Sequence, residues 1–187
     1  MQTDMICIGI TGTIGAGKGT VVEYLERSRG YRHFSVRSFL LDLIRTEGMP
    51  ENRDSMFLLG NRLRNEFGPS YVVDCLYKLA QESGDNCIIE SIRTTGETAF
   101  LRSKGNFYLL AVDADQKIRY ERIRLRKSET DTVSFTTFAE NEEREMTSTD
   151  PGRQNLRECI RMADFVLTNN GSREELFARV DDILKKV

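Results

Sequence analysis

The chain has 187 residues, and its 27 Lys+Arg against 29 Asp+Glu leave a formal net charge of −2, a balance that argues against a polybasic nucleic-acid or membrane partner for the whole chain. The length suffices for a hydrophobic core without disulfides or metal; no apolar run approaches the roughly 20 residues that span a bilayer, and the N-terminal stretch lacks the basic and long apolar regions of a signal peptide. Cys7, Cys75, Cys87 and Cys159 lie far apart with no C-x-x-C pair, which reads as reduced core thiols of a cytoplasmic protein and excludes a zinc finger or a disulfide scaffold.

In chain order, residues 5–10 (MICIGI) form a first predicted strand and 18–29 a helix. A second strand at 33–36 is followed by helical patterns at 39–46, 55–67 and 69–82. Strand 87–89, helix 96–103, strand 107–112 (FYLLAV) and helices 115–127, 135–146 and 153–161 follow, then strand 165–167 and helix 173–186. The nearly continuous apolar character of the strands suits a parallel sheet covered on both faces, and the alternation with helices implies an open, doubly wound α/β fold. Pro69 fits a first helical turn, and Ser172 before Arg173-Glu174-Glu175 is a good N-cap. The chain reads as one domain, with two helices inserted between the second and third strands.

The strongest motif is Gly12-Thr13-Ile14-Gly15-Ala16-Gly17-Lys18-Gly19-Thr20, between the first strand and the first helix. Glycines there let successive amide N–H groups turn into one concavity. The helix N-terminus adds positive charge, and Lys18 places an ammonium on the outer phosphates. The pattern G-x-x-x-x-G-K-[ST] is met except at its last position, where Gly19 stands and Thr20 follows. A dinucleotide fold has no use for the lysine, so the loop implies ATP or GTP. Its GxxGxGKGT form resembles that of nucleoside monophosphate kinases such as adenylate kinase, which often carry proline where this chain has Ile14. Ile8-Gly9-Ile10-Thr11-Gly12 also resembles the start of dephospho-coenzyme A kinases. The resemblance implies a three-layer P-loop fold with a five-stranded parallel sheet, a helical acceptor-binding insertion at 37–84 and a short lid at 124–150. Phosphoryl transfer from ATP, with Mg²⁺, to a small phosphorylated acceptor is the implied activity.

At the end of the third strand stand Glu90 and, three residues on, Arg93. A carboxylate there can hold Mg²⁺ or its water shell, and an arginine can grip a phosphate. The segment resembles the "DG-x-P-R" stretch of adenylate kinases. Residues 89–97 (IESIRTTGE) are closer still to the "IDGIR…GE" run of adenylate-kinase-like and dephospho-coenzyme-A-kinase-like proteins of archaea and some eukaryotes. Asp42 and Arg45 share a helix face and resemble the "GDLLR" helix, whose arginine binds the acceptor phosphate. Residues 59–69 resemble a "GN-x-LR-x-E-x-GP" run; of Arg62 and Arg64, Arg64 is the expected acceptor contact.

Arg119, Arg122, Arg124, Arg126 and Lys127 form a cationic cluster ahead of the polar stretch 128–134, the charge that a phosphoryl-transfer cover needs. By resemblance Arg122 and Arg126 are the lid arginines, Arg144 returns on a second arm, and Asn141 replaces a further arginine. Residues 163–172 resemble the "AD-x-V-I-x-N-x-GS" run of dephospho-coenzyme A kinases, which makes Asn169 and Gly171 contacts for the adenine of ATP. His33, the single histidine, excludes a histidine metal cluster or a Ser-His-Asp triad. Asp115 reads as a helix cap beside Asp113, and the acids of 140–145 as a solvated face.

The expected mechanism has the loop from Gly12 to Thr20 and Lys18 holding the phosphates, with Mg²⁺ near Glu90. Arg45 and Arg93 align the acceptor, and Arg122 and Arg126 neutralise the transferring group. Two other readings stay open: a dephospho-coenzyme A kinase-like enzyme with Asp42 as the base for a ribose hydroxyl, and a nucleotide-dependent interaction module or slow ATPase.

Overall fold

The computed structural model describes residues 5–126, 134–150 and 153–187. Strand β1 (Cys7–Gly12) leads into α1 (Lys18–Arg29). After β2 (Arg32–Ser35) come α2 (Val36–Thr46), α3 (Arg53–Phe67) and α4 (Tyr71–Ser83). Then follow β3 (Cys87–Glu90), α5 (Thr95–Arg102), β4 (Phe107–Asp113), α6 (Gln116–Arg126), α7 (Phe135–Met146), α8 (Leu156–Arg161), β5 (Phe165–Thr168) and α9 (Arg173–Leu184). The strands form one sheet in the order β2-β3-β1-β4-β5, and every pairing is parallel. The five-stranded parallel sheet expected from the apolar runs is therefore present.

Alternation along the strands sorts their side chains to two faces. Ile8, Ile10, Ile88, Leu110, Val112 and Leu167 pack with Val21, Val22 and Leu25 of α1 and Leu176 and Val180 of α9. Cys7, Cys87, Ile89 and Leu109 face the other way, into a layer with Ile44, Leu59, Val73, Leu76 and Leu101 from α2 to α5. Ile10, Ile88, Ile89 and Leu109 are all 0% exposed, and burying each contributes on the order of 1.5–3 kcal/mol. These four lie on the three central strands, so the sheet is most rigid where β1 ends and the glycine-rich loop begins.

The helix starts follow local chemistry. Side chains of Ser35, Asn52, Ser134 and Asn155 accept backbone N–H bonds at the starts of α2, α3, α7 and α8. Thr94 with Glu97 and Ser172 with Glu175 form complete capping boxes on α5 and α9. Four boundaries differ from the sequence reading. The three helical patterns between β2 and β3 are all helices, so the insertion holds three helices rather than the two counted for it. The Ser35 cap ends β2 early and draws Val36 into α2. Pro69 lies ahead of the Ser70 N-cap rather than inside α4, and α8 starts at Leu156 because Asn155 caps it there. Cys7, Cys87 and Cys159 are buried, Cys75 is half-buried, and all four are free thiols. Among the described residues, no helix is long and apolar enough to cross a membrane.

The exit from β3 is backbone-strained. Ser91 adopts φ 67°, a left-handed conformation that costs a side-chain-bearing residue about 1–2 kcal/mol. The turn persists because β1 holds the next residue through both its backbone N–H and its carbonyl. Ile92 N–H donates to the Ile10 carbonyl at 3.1 Å, and Thr11 Oγ1 donates to the Ile92 carbonyl at 2.7 Å. Ser91→Gly should therefore stabilise the fold by about 0.5–1 kcal/mol, net of the greater freedom glycine gains when unfolded. Urea denaturation checks this; an unchanged or lower midpoint would contradict the strain.

Candidate active site

Because β1 lies between β3 and β4, its C-terminal end opens the loop between two neighbouring strand ends, the place where open α/β sheets bind ligands. Gly15 (φ 80°) and Gly17 (φ 99°) take left-handed conformations. A Cβ at Gly15 would lie 2.5 Å from the Arg119 carbonyl oxygen, and one at Gly17 2.4 Å from Asn169 Nδ2. At Gly19 a Cβ would meet nothing within 4 Å. Glycine is thus a steric demand at positions 15 and 17 and not at position 19.

The loop carbonyls are fixed from outside. Asn169 Nδ2 donates to the Ala16 carbonyl at 2.8 Å, Arg122 Nη1 reaches the same oxygen at 3.5 Å, and Arg119 Nη1 donates to the Ile14 carbonyl at 3.2 Å. Thr13 Oγ1 donates to Asp113 Oδ1 at 2.5 Å, tying the loop to the end of β4. With carbonyls turned out to these donors, peptide planarity turns amide N–H groups inward. No side chain caps α1, which is entered directly from Gly17, so the positive end of the helix faces the loop. Lys18 Nζ donates to the Gly12 and Thr13 carbonyls at 2.8 Å each.

Glu90 ends β3 and is in register with Ile10 and Ser35, on the same sheet face as α1. It accepts a hydrogen bond from Ser35 Oγ at 3.1 Å, and His33 Nε2 lies 3.8 Å away. Burial alone would raise its pKa; His33, Ser35 and the Lys18 charge outweigh that, and the carboxyl lies below its ordinary value. Glu90 is therefore an ionised carboxylate at neutral pH, at the strand end beside the loop.

The arginines are already engaged by carboxylates. Arg93 pairs with Glu145 of α7 and reaches Gln154 Oε1 at 3.4 Å. Arg45 bonds Glu51 at 3.0 and 2.9 Å and Asp42 at 3.3 Å, with half its side chain in solvent. Arg64 differs most from expectation. It is 5% exposed and donates to Glu97 Oε1 through Nε at 3.0 Å and Nη2 at 2.8 Å, so it lies inside the protein between α3 and α5 and faces no open acceptor cleft. Exposed Arg62, its neighbour on α3, pairs with Glu47. Asn169, 8% exposed, commits its amide to the loop and, with the exposed turn at Gly171, also borders a cavity of about 240 Å³ lined by Thr168, Ser172, Leu176 and Arg179.

Two groups here differ from the sequence reading, which placed Arg119 in the cationic cover and Glu142 and Glu145 on a solvated face. Arg119, 5% exposed, donates to the Ala114 carbonyl at 2.7 Å and to both Glu142 oxygens at 3.0 and 2.8 Å, besides Ile14. The acids of 140–145 also split: Glu140 and Glu143 are exposed, whereas Glu142 and Glu145 are buried. The solvated-face reading fails for that buried pair because Arg119 and Arg93 meet them. The available signals were spacings: Arg119 shares a helix face with Ile123, and Phe138, Glu142 and Glu145 share another. Arg144 turns to α3, 3.9 Å from Asp54 and over the Phe57 ring. Asp115 directly precedes α6, and its carbonyl accepts from Arg119 N–H at 3.0 Å. Arg126 closes α6; its side chain and residues 127–133 of the expected lid lie outside the described residues.

Three comparisons with known proteins bear on this site. Residues 8–148 match the model of a family described as "AAA domain". A "UPF0200 protein" of Methanothermobacter thermautotrophicus is 29% identical over 98% of this chain and 92% of its own. One from Methanococcus maripaludis is 28% identical over 98% of both. Among solved structures, TT1252 from Thermus thermophilus aligns with TM-score 0.60 at 23% identity over 98% of both chains. Shikimate kinase from Aquifex aeolicus aligns with TM-score 0.55 at 16% identity over 97% of both chains. These likenesses show a kinase-like P-loop fold.

The loop geometry makes opposite forecasts for two glycines. Gly15→Ala should weaken binding of a fluorescent ATP analogue at least about tenfold, because strain and the Arg119 carbonyl would deform the loop. Gly19→Ser should fold and bind as the parent does. Equal affinity of all three proteins in a titration would contradict the assignment of this loop.

Proposed function

This chain belongs to the AAA domain family, and on that footing we propose that it is an ATP-dependent phosphotransferase of the nucleoside monophosphate kinase type. It moves the γ-phosphoryl group of ATP to a small phosphorylated acceptor, a ribo- or deoxyribonucleoside monophosphate. One observation carries the reading: Lys18, the uncapped start of α1 and the ionised strand-end Glu90 surround one concave loop.

In this reading the inward amides and Lys18 take the phosphates of ATP, Lys18 exchanging the Gly12 and Thr13 carbonyls for phosphate oxygens. Glu90 suits Mg²⁺, which takes one or two carboxylates and fills the rest of its shell with phosphate oxygens and water. Gly19 brings no hydroxyl, so Glu90 is the residue here that would hold the ion. Bound there, the ion would neutralise charge on the phosphates. Arg93 holds the acceptor phosphate in line, with the phosphate taking the place of Glu145, because an arginine fork matches both groups. Arg122, at the rim of the loop, and Arg126 neutralise charge on the transferring oxygens. Arg45 adds charge on the acceptor side, and the cavity beside Gly171 receives the base of ATP. A ribose-hydroxyl acceptor would need Asp42 as its base. Asp42 is 75% exposed and already paired with Arg45, an open setting for a general base, which favours the phosphate acceptor.

The test incubates the protein with Mg²⁺ and ATP against each ribo- and deoxyribonucleoside monophosphate and dephospho-coenzyme A, following ADP and product mass. Rapid transfer to one nucleoside monophosphate is expected. Lys18→Ala should lower kcat/KM by about 100- to 1000-fold with an unchanged circular dichroism spectrum. Slow ADP release indifferent to every acceptor would overturn the reading in favour of a nucleotide-dependent interaction module.

A further inference from the structure

The Arg64–Glu97 pair has a role that neither the loop nor the phosphate contacts use. Glu97 is 1% exposed, and its two oxygens serve different partners. Oε1 accepts both bonds from Arg64 of α3. Oε2 accepts the backbone N–H groups of Arg93 at 2.9 Å and Thr94 at 3.1 Å. On the far side, the Asn155 N–H donates to the Arg93 carbonyl at 2.9 Å. The backbone of Arg93 is thus clamped on both sides, and one side is held by a helix of the acceptor-side insertion.

We propose that Arg64 and Glu97 are a positioning pair that couples helix α3 to Arg93, so that loading the insertion with acceptor aligns the guanidinium that grips the acceptor phosphate. The proposal rests on the reading of Arg93 as an acceptor contact. Stability alone does not account for the pair. A capping box on α5 needs only Thr94 and Glu97, and a buried ion pair is a weak source of stability that apolar residues often match. Among the described residues, Arg64 Nη1 is buried without a hydrogen-bond partner. Gly60, one turn earlier on α3, leaves room for it: a Cβ there would lie 3.1 Å from Nη1. What the arrangement does supply is geometry. Arg64 holds Oε1 through Nε and Nη2 while the Arg93 and Thr94 N–H groups hold Oε2, so the carboxylate is fixed at both oxygens and links the guanidinium to two consecutive backbone N–H groups. A shift of α3 therefore reaches Arg93 through two rigid links.

The test compares wild type with Arg64→Lys and with the double variant Arg64→Met/Glu97→Gln, which removes both charges and leaves the capping group. The expected result is a fall of about 10- to 100-fold in kcat/KM for the acceptor, the scale of a slight misplacement of a positioning group. The KM for ATP should stay within about twofold and the thermal midpoint of the double variant near that of wild type. In wild-type protein, saturating acceptor should also slow hydrogen exchange in the peptide covering residues 91–97, a readout independent of whether either variant folds. Folded variants with unaltered acceptor parameters, or exchange at 91–97 indifferent to acceptor, would overturn the coupling while leaving the kinase reading intact. Absence of transfer by the wild type would instead remove that reading and the coupling with it.

Discussion

A guanidinium group taken out of water must meet a carboxylate, and the ground plan around the phosphate loop follows from that demand. Among the described residues, Arg64 and Arg119 are buried and Arg93 is half-buried, and each finds its acid on another element. Arg119 of α6 meets Glu142 of α7, Arg93 after β3 meets Glu145 of α7, and Arg64 of α3 meets Glu97 of α5. Each pair ties together pieces that the chain leaves apart. Helix α7 holds two of these ties, and Arg144 adds a contact with α3. This helix, within the expected lid, thereby lies against both the loop side and the acceptor side of the candidate site.

That wiring fits a site built for anions. Glu145 keeps the Arg93 guanidinium oriented and its charge neutralised, and in the proposed function it is this carboxylate that the acceptor phosphate displaces. Arg119 does a different job: its guanidinium bridges Ile14 and Glu142, so α7 and the loop share one fixed point. The loop's shape then depends on glycine where backbone and neighbours press close, at Gly12 against the Val112 carbonyl, Gly15 under Arg119 and Gly17 under Asn169. Rigid central strands, a pinned loop and a helix end with no side-chain cap reinforce one another at the same place.

Much of this was legible in the residues. Apolar runs marked the five strands, and spaced glycines with a lysine marked the loop, because both signals are local and depend on backbone geometry. The start of α2 was not legible, since the Ser35 cap competes with the β-propensity of Val36. The buried charges were harder. Arg64 and Glu97 lie 33 residues apart, Arg119 and Glu142 23, and Arg93 and Glu145 52. A charged residue looks solvent-facing in a periodic pattern unless its distant partner is known, so Glu142 and Glu145 read as surface and Arg64 as a substrate contact. Resemblance located Glu90 and Arg93 on adjoining elements; only the fold showed that Ser91 between them holds a left-handed backbone in a turn where related motifs carry glycine.

Everything proposed for this molecule depends on the loop cradling the phosphates of ATP, with Lys18 and Glu90 on either side. A crystal structure with Mg²⁺ and a non-hydrolysable ATP analogue puts that to the sharpest trial. Phosphate oxygens should lie within hydrogen-bonding distance of the loop amides, with Lys18 moved from the Gly12 and Thr13 carbonyls onto them and Mg²⁺ reached by Glu90 through water. Nucleotide bound elsewhere, or a loop and Lys18 left as they are in its presence, would contradict it.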